Sequence, residues 1–280
     1  MKILLSLLFF VCCSAAEAQE IYHVNRWVSG GITAAGAAAS IAAYPTTFGK
    51  PDISDSEFAA IDRKKKSGFD SWALDQTIPR DGEHYELYST GLQGICNLFP
   101  LILGFDERIK PARLDLFLMY LEVSAITLTI YQVSPLGPLF QDKYRPIAYY
   151  DSLSHEKRKT GYNRNSFYSG HAASTTASTF FAAKVYSDYH PELGKNKYFL
   201  FGAALIPPLI VGYLRFRELM HFPSDILVGI GIGAICGVVI PEIHRLAARN
   251  SVPPTISSAK GNGWSVGVSY QGSGWNLFFR

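Results

Sequence analysis

The fold of this chain is decided by the stretch Ser166-Phe-Tyr-Ser-Gly-His171 and by its counterpart Arg215-Phe-Arg-Glu-Leu-Met-His-Phe-Pro-Ser-Asp225. Two apolar segments lie between them, and each approaches the ~20 residues that a helix needs to cross ~30 Å of hydrocarbon. A chain that crosses a bilayer twice returns to the face where it began. We therefore predict that the two stretches meet at one membrane face and form an oxyanion site there.

The residue types in these stretches suit phosphate chemistry. His221 and Asp225 are four residues apart, so on a helix they would share a face, and Asp225 could accept a proton from one imidazole nitrogen. That arrangement leaves the other nitrogen free as a nucleophile. Ser169 and Gly170 precede a run of small residues that indicates a helix start, where a hydroxyl and free backbone amides suit an anion. His171 would then lie beside the anion.

Cations lie both upstream of these stretches and within them. Lys143 and Arg145 are followed by Pro146, and Arg145 can grip phosphate oxygens in a fork that lysine cannot make. Arg215 supplies a second guanidinium. We expect all three cations to contribute to phosphate binding.

In order and spacing these residues resemble the three signature motifs of the type 2 phosphatidic acid phosphatase and vanadium haloperoxidase superfamily. That pattern is Lys, six residues, Arg-Pro; then Pro-Ser-Gly-His; then Ser-Arg, five residues, His, three residues, Asp. Arg145-Pro146, Ser169-Gly170-His171, and Arg215 with His221 and Asp225 match it. Three positions depart: Pro138 stands where the family lysine is expected, Tyr168 replaces the proline, and Leu214 replaces the serine.

The resemblance implies a metal-independent mechanism that uses no cofactor. His221 attacks phosphorus and forms a phosphohistidine, Asp225 holds its ring, and His171 protonates the leaving alkoxide. A further set of groups would bind the phosphate and stabilise the charge on its oxygens. These groups are Arg145, Arg215, Ser169, the Gly170 amide and Lys143 as a substitute for the missing family lysine.

Two other functions remain open at this point. A vanadate-dependent haloperoxidase uses a similar anion site but needs vanadate, peroxide and a halide. A non-catalytic membrane scaffold or transporter could retain the helices, and the departure at Pro138 keeps that alternative open.

The composition indicates a membrane protein. The 280 residues are 48% hydrophobic and only 18% charged, and the net charge of +3 with no basic run among aromatics argues against nucleic-acid binding. Residues 1–18 show the three parts of a secretory signal peptide. A lipid anchor on Cys12 or Cys13 and an uncleaved leader are alternatives. We expect no disulfide between Cys96 and Cys236.

Six apolar segments follow the leader, which matches the six-helix core of the membrane members of the family. The fold class predicted is therefore all-α, a six-helix membrane bundle, and Pro45 is expected to end the first helix. The segments comprise residues 28–44, 88–105, 114–133, 168–186, 198–214 and 222–243.

The regions outside the bundle complete the predicted organisation. Residues 19–87 form an N-terminal segment whose part from 46 onward is an interfacial connector with a basic cluster at Arg63–Lys66. Residues 88–250 form the phosphatase core. In the tail, residues 251–280, aromatic and apolar residues alternate with small or polar ones, which predicts a β-hairpin.

The predicted function is hydrolysis of a phosphomonoester or pyrophosphate on a lipid or isoprenoid carrier. Diacylglycerol phosphates, undecaprenyl pyrophosphate and the phosphates of lipid A are the classes that the resemblance allows. We expect a multi-pass protein of a bacterial-type inner membrane, in contact with membrane lipids. The site is expected on the periplasmic face, although a cleaved leader followed by six spans would place the motifs inside.

Overall fold

A computed structural model describes residues 21–61, 68–78, 82–251, 266–271 and 274–279. The predicted signal peptide and the basic cluster at Arg63–Lys66 lie outside these ranges. Between residues 21 and 251 the described chain is built from helices, in agreement with the predicted all-α class.

Each predicted apolar segment overlaps one α-helix of the described chain, and two further α-helices, Asp55–Ala59 and His155–Lys159, are short. The bounds of the α-helices are α1 Arg26–Phe48, α2 Asp55–Ala59, α3 Gly82–Leu98, α4 Arg113–Val133, α5 His155–Lys159, α6 Gly170–Tyr189, α7 Lys197–Arg217 and α8 Pro223–Ser251. Short 3₁₀ helices lie at Gly68–Asp75, Phe99–Phe105, Lys110–Ala112, Pro146–Tyr149, Gly161–Arg164 and Pro191–Asn196.

The prediction that Pro45 ends the first helix is wrong, because α1 continues through it to Phe48. Proline removes one backbone donor without forbidding helical dihedral angles for itself, and packing can retain the last turn. Asn25 begins the helix by accepting hydrogen bonds from the amides of Trp27 and Val28. Because α1 packs along α4, its extra turn brings Phe48 against the cluster of Tyr131, Tyr168 and Ala173.

Helix α6 lies at the centre of the bundle, where it packs against α3, α4 and α7. Its contact with α8 is close because glycines recur there every four residues. A side chain at Gly229, Gly233 or Gly237 would come within 2.4, 2.2 or 2.6 Å of backbone oxygens of Ser169, Ala173 and Ala177. Small residues let helix backbones approach in this way, so α6 and α8 hold the second and third motifs in fixed register.

Three helical segments of the described chain are long and apolar enough to cross a membrane. They are Lys110–Val133, Pro191–Arg217 and Pro223–Asn250. The loops that carry the motifs follow the first, follow the second and precede the third. All three candidate spans therefore direct their motif ends to one end of the bundle.

The chain divides into two compact units. The larger, Val24–Glu242, contains every motif residue. The smaller combines Met1–His23 with Ile243–Arg280, and in its described part strands β1, Val266–Gln271, and β2, Gly274–Phe279, pair antiparallel. Gln271 pairs with Gly274, and residues 272–273 between them lie outside the described ranges.

Candidate active site

A tight turn between α7 and α8 positions the third motif. Leu219 adopts a positive φ of 63°, an unusual conformation for a residue with a branched side chain. Its carbonyl accepts a hydrogen bond from the Ile147 amide at 3.0 Å, and its side chain is buried in a cluster with Leu74 and Phe222. These contacts hold the reversal that brings His221 back beside Arg215.

His221 is buried, with 2% of its surface exposed, and one ring nitrogen has a fixed partner. Its Nδ1 lies 2.6 Å from the backbone carbonyl oxygen of Ser166. A carbonyl can only accept, so Nδ1 carries the proton and Nε2 keeps a free lone pair. Burial, followed by the charges of Arg145 and Arg215, holds the pKa of His221 well below its usual value. The imidazole is therefore neutral at neutral pH.

Asp225 was predicted to contact His221 directly, but in the structure the two side chains bind different groups of Ser166. Asp225 Oδ2 accepts from the Ser166 hydroxyl at 2.6 Å and from the Phe222 amide at 2.9 Å. The four-residue spacing misled because His221 precedes α8, so the two residues do not share a helix face. Asp225 instead reaches the histidine through Ser166, whose hydroxyl it binds and whose carbonyl binds the ring.

Lys143 also differs from its predicted role in phosphate binding. Its Nζ donates to Asp225 Oδ1 at 2.5 Å, to Ser224 Oγ at 3.0 Å and to Asp70 Oδ2 at 3.1 Å. An ammonium group has three protons, so these acceptors occupy all of its donor capacity. The lysine therefore neutralises the buried Asp225 carboxylate and does not line the cavity described below.

Asp70 extends this network into the connector between α1 and α3. One of its oxygens accepts from the Ser224 amide at 3.0 Å, and the other accepts from the Ser224 hydroxyl at 2.6 Å. The amide is one of the unpaired donors at the start of α8, so Asp70 caps that helix from a distance. Burial alone would raise the pKa of Asp70, but hydrogen bonds from Ser224 and Lys143 outweigh it and lower the pKa.

Arg145 is held flat beside the cavity. Its Nε and Nη2 both donate to the Asn165 carbonyl oxygen at 3.2 Å, and its guanidinium lies 3.7 Å from the centre of the Tyr162 ring. With 1% of its surface exposed, the group is almost fully removed from water. No carboxylate of the described chain forms an ion pair with it, so its charge remains available to an anion.

Arg215 has the opposite arrangement, because a carboxylate lies against it. Its Nη1 is 2.8 Å from Glu218 Oε2, without the alignment of a hydrogen bond, and its buried Nε has no hydrogen-bond partner among the described residues. Burial raises the pKa of Glu218 to about 7, although Arg215 acts in the opposite direction. An unpaired buried donor is costly, and a phosphate oxygen would satisfy it.

The second motif starts helix α6 at the same place. Ser169 Oγ accepts from the Ala172 amide at 3.4 Å and caps the helix, so this predicted phosphate ligand is engaged in the fold. Gly170 lies under the Tyr131 ring, where an added side chain would come within 3.1 Å. His171 Nε2 lies 3.3 Å from Thr90 Oγ1 of α3.

One cavity of ≈ 410 Å³ brings the remaining predicted groups together. His171, His221, Arg145, Arg215 and Gly170 all line it, whereas Asp225, Lys143 and Ser169 lie outside its lining. Tyr162 also lines this cavity, beside Arg145. Burial would raise the pKa of this phenol, but the charges of Arg145 and Arg215 outweigh it and lower the pKa. Two guanidinium groups therefore act on one end of one cavity.

Sequence reasoning missed four residues of this arrangement. Asp70 lies in a segment without a motif, and Ser166 lies three residues before Ser169 of the second motif, at a position that the motif does not include. Only the folded chain brings them to Lys143 and Asp225. Glu218 and Tyr162 occupy no signature position of the motifs. An acidic residue within the third motif is nevertheless a signal for a partner of Arg215. It lies three residues after Arg215, at helical pairing distance.

The comparisons with known proteins agree with the motifs. Residues 117–249 match the family model described as the PAP2 superfamily, and this range contains all three motifs. The match confirms the resemblance to the type 2 phosphatidic acid phosphatase superfamily. No curated protein and no solved structure matches the chain.

Proposed function

Because residues 117–249 match the PAP2 superfamily model, we propose that this protein is a membrane phosphatase acting on the phosphate or pyrophosphate of a lipid or isoprenoid carrier. One observation carries the proposal. Two imidazoles and two buried guanidinium groups line the same end of one cavity, although they come from distant parts of the chain. Such a site is complementary to a phosphate undergoing nucleophilic attack.

In the first step the free lone pair of His221 Nε2 attacks phosphorus. The bond between phosphorus and the leaving oxygen breaks, its electron pair stays on that oxygen, and His171 supplies the proton. The products are a phosphohistidine and the free alcohol, or a shorter phosphate when the substrate is a pyrophosphate. Since burial and the nearby guanidinium charges keep His221 neutral, the lone pair is available at neutral pH.

Charge on the transferred phosphoryl group is stabilised by the cavity wall. Arg145 and Arg215 supply positive charge at the three equatorial oxygens, and the open amides at the start of α6 around Gly170 add hydrogen bonds. Burial of both guanidinium groups strengthens these interactions, because little water screens them. The wall requires no rearrangement of Arg145, which is already fixed to Asn165 and Tyr162.

In the second step water attacks the phosphohistidine. His171, which has lost its proton, accepts one from that water. His221 leaves as the neutral imidazole, and its Nδ1–H still donates a hydrogen bond to the Ser166 carbonyl. Inorganic phosphate is released, and both histidines return to their starting protonation. The step uses only these side chains and water, so the proposal includes no metal ion and no cofactor.

The network behind His221 fixes its tautomer and orientation. The Ser166 carbonyl accepts a hydrogen bond from the His221 Nδ1–H, and the Ser166 hydroxyl donates one to Asp225. Lys143 balances the Asp225 charge without entering the cavity, and Asp70 accepts a second hydrogen bond from Lys143 and holds it in place. In this proposal Asp225 is therefore a positioning residue that acts through Ser166.

The location follows from the candidate spans and the substrate. We propose an inner membrane of bacterial type, with the motif end of the bundle on the periplasmic side and in contact with membrane lipids. A headgroup phosphate at that interface could enter the cavity while its apolar part stays in the bilayer.

The test uses the full chain in detergent or nanodiscs with a panel of lipid phosphates. The unmodified protein should release inorganic phosphate and form an acid-labile phosphoenzyme. His221→Ala should lose both, with a fall in turnover of at least about 10⁴-fold, because the nucleophile is removed. His155→Ala is the control, because His155 is exposed and packs on Phe58 outside the cavity.

Full activity of a folded His221→Ala protein would contradict the proposal. So would the absence of phosphate release from every member of the panel by the unmodified protein. Halogenation that depends on added vanadate, without phosphatase activity, would favour the haloperoxidase alternative.

A further inference from the structure

Tyr162 lies beside the two guanidinium groups but occupies no position of the three motifs. It lines the same cavity, and the Arg145 guanidinium is 3.7 Å from the centre of its ring. Both Arg145 and Arg215 act on its hydroxyl, by charge and by hydrogen bonding. The side chain is 38% exposed, so protein does not enclose it, and a ligand held by the two arginines can reach it.

The backbone on both sides of Tyr162 is held in place. At Gly161, an added side chain would come within 1.8 Å of the Lys50 carbonyl oxygen, so the two chain segments pass closely and only glycine fits there. On the other side, the Asn163 carbonyl accepts a hydrogen bond from the Arg145 amide at 2.8 Å. These contacts fix the ring beside Arg145 before a ligand binds, as a preorganised catalytic group requires.

The chemistry of its neighbours limits where the proton of Tyr162 can go. A guanidinium group has five donors and no acceptor, so Tyr162 Oη can only accept from Arg145 and Arg215. Within the described part of the chain, no hydrogen bond takes up the phenol proton. A phosphate dianion only accepts, and one held by the same two guanidinium groups would lie within reach of this proton. The donor and the acceptor are therefore complementary.

We infer that the Tyr162 hydroxyl donates a hydrogen bond to an oxygen of the phosphoryl group during its transfer, so Tyr162 is a further catalytic residue outside the motifs. This inference rests on the proposed phosphatase function. The bonds that form and break are unchanged: His221 Nε2 joins phosphorus, the bond to the leaving oxygen breaks, and the phenol keeps its proton. Its hydrogen bond adds to the two arginine charges, because a donor binds an anionic oxygen more strongly than a neutral one.

The ring and the hydroxyl of Tyr162 have separable roles. The ring stacks on Arg145, and this contact does not need the oxygen, because phenylalanine also attracts a cation to its face. The hydroxyl provides the donor. Burial would raise the pKa of this phenol, but the charges of Arg145 and Arg215 outweigh it and lower the pKa. Removal of the oxygen alone therefore tests the inference without removing the stacking.

The first measurement uses Tyr162→Phe in the full chain, with phosphatidic acid and a prenyl monophosphate as substrates. We expect kcat/KM for phosphate release to fall about 10- to 100-fold, because one donor to the transferred group is lost. The factor should be the same for every substrate that the unmodified protein hydrolyses, since the hydroxyl contacts the phosphoryl group that they share. The temperature of thermal unfolding should stay close to that of the unmodified protein.

Tyr144→Phe is the matched control, because Tyr144 has a similar arrangement outside the cavity. The Arg164 guanidinium lies 5.8 Å from the centre of its ring, and its hydroxyl donates to Glu57 Oε1 at 3.4 Å. It should retain full activity. Tyr162→Leu removes both the hydroxyl and the stacking, and it should lose more activity than Tyr162→Phe.

The second measurement is the pH profile of kcat. A phenol donates only while it is protonated, so kcat should decline as pH rises through the lowered pKa of Tyr162, and Tyr162→Phe should lack this alkaline decline. The groups that face this phenol are Arg145, Arg215 and Tyr131, and all three are retained in the variant. The effect of Glu218 near pH 7 is also retained. Tyr162→3-fluorotyrosine, with a more acidic phenol of similar size, should move the decline to lower pH.

Normal kcat/KM in a folded Tyr162→Phe protein would overturn the inference and leave the phosphatase function intact. If Tyr162→Leu alone loses activity, the residue only supports Arg145 by stacking, which also overturns it. Should Tyr162→Phe fail to fold, the fluorinated protein decides, and an alkaline decline at an unchanged pH would reject the hydroxyl as a donor. Failure of the unmodified protein to release phosphate from any ester would reject the phosphatase function, and this inference with it.

Discussion

The two sides of His221 have opposite electrostatic designs. On the cavity side, Arg145 forms no ion pair and the Nε of Arg215 has no partner among the described residues. On the other side, Lys143 is saturated by Asp225, Asp70 and Ser224 at 2.5 to 3.1 Å. Both sides are cationic, yet only one has donors to spare.

This difference separates two functions, ligand binding and positioning. The sequence does not distinguish them, because it shows only that basic residues are present. Unsatisfied buried donors are unfavourable in the empty protein, and that cost makes a bound phosphate oxygen correspondingly favourable. A saturated ion network has nothing to offer a ligand, but it holds its members in one geometry. Binding and positioning are thus assigned to different cations, and each assignment can be tested.

The largest effect expected in this comparison is on the cavity side. Arg145→Lys keeps the charge but loses the fork and the stacking on Tyr162, so kcat/KM for phosphate release should fall about 100- to 1,000-fold. Thermal unfolding should change much less than activity. Arg113→Lys, at an exposed arginine outside this cavity, should retain activity. An Arg145→Lys protein with normal kcat/KM would remove this residue from the binding site.

Substitution of Lys143, on the other side of His221, should cause a smaller loss of activity and a larger loss of stability. Lys143→Met leaves the buried Asp225 carboxylate without its cation and should lower the free energy of unfolding by roughly 3 kcal/mol. We expect kcat to fall about 10- to 100-fold while KM changes little, because His221 loses its support through Ser166. Chemical denaturation and steady-state kinetics provide the two readouts.

Asp70→Asn gives the companion measurement, because it weakens the same network from the connector. It should lower kcat in the same direction but by less, since Asp225 keeps Lys143. Asp115→Asn is its control, because Asp115 pairs with Arg26 and is remote from this network. A rise in KM without loss of stability in Lys143→Met would return the lysine to phosphate binding.

The smallest effect concerns Glu218, the acid that pairs with Arg215 and would compete with phosphate in the proposed site. Its pKa of about 7 means that it is mostly neutral at pH 6 and mostly anionic at pH 8. The anion holds Arg215 and repels phosphate, so KM should rise about 3- to 5-fold over this interval. Glu86 also raises the pKa of this carboxyl, and Arg145 lowers it. Glu218→Gln should remove the rise.

The pH dependence of folding stability tests the protonation of Glu218 independently. Because the folded pKa is raised above the unfolded value, stability due to Glu218 is present at low pH and is lost as pH rises through about 7. The melting temperature of the unmodified protein should therefore fall relative to that of Glu218→Gln between pH 5 and pH 8. Identical pH profiles of KM in both proteins would show that Glu218 does not compete with phosphate.

The sequence specified most of the chemistry and part of the architecture. The helices near 114–133, 168–186 and 198–214 were predicted to within a few residues at most ends, because long apolar runs leave few alternatives. The motif spacing also predicted that His171, His221, Arg145 and Arg215 converge, and these four line one cavity. The six-span bundle, the membrane face and the substrate class stay predictions.

What the sequence by itself determined is the set of reactive side chains and the apolar segments that separate them, since both depend on residue type and spacing. Only the tertiary structure decided which cation faces the cavity and which supports Asp225. The turn at Leu219 keeps His221 off helix α8, and the connector brings in Asp70 from 73 residues before Lys143. Contacts of that separation depend on the folded path of the chain, which no local pattern encodes.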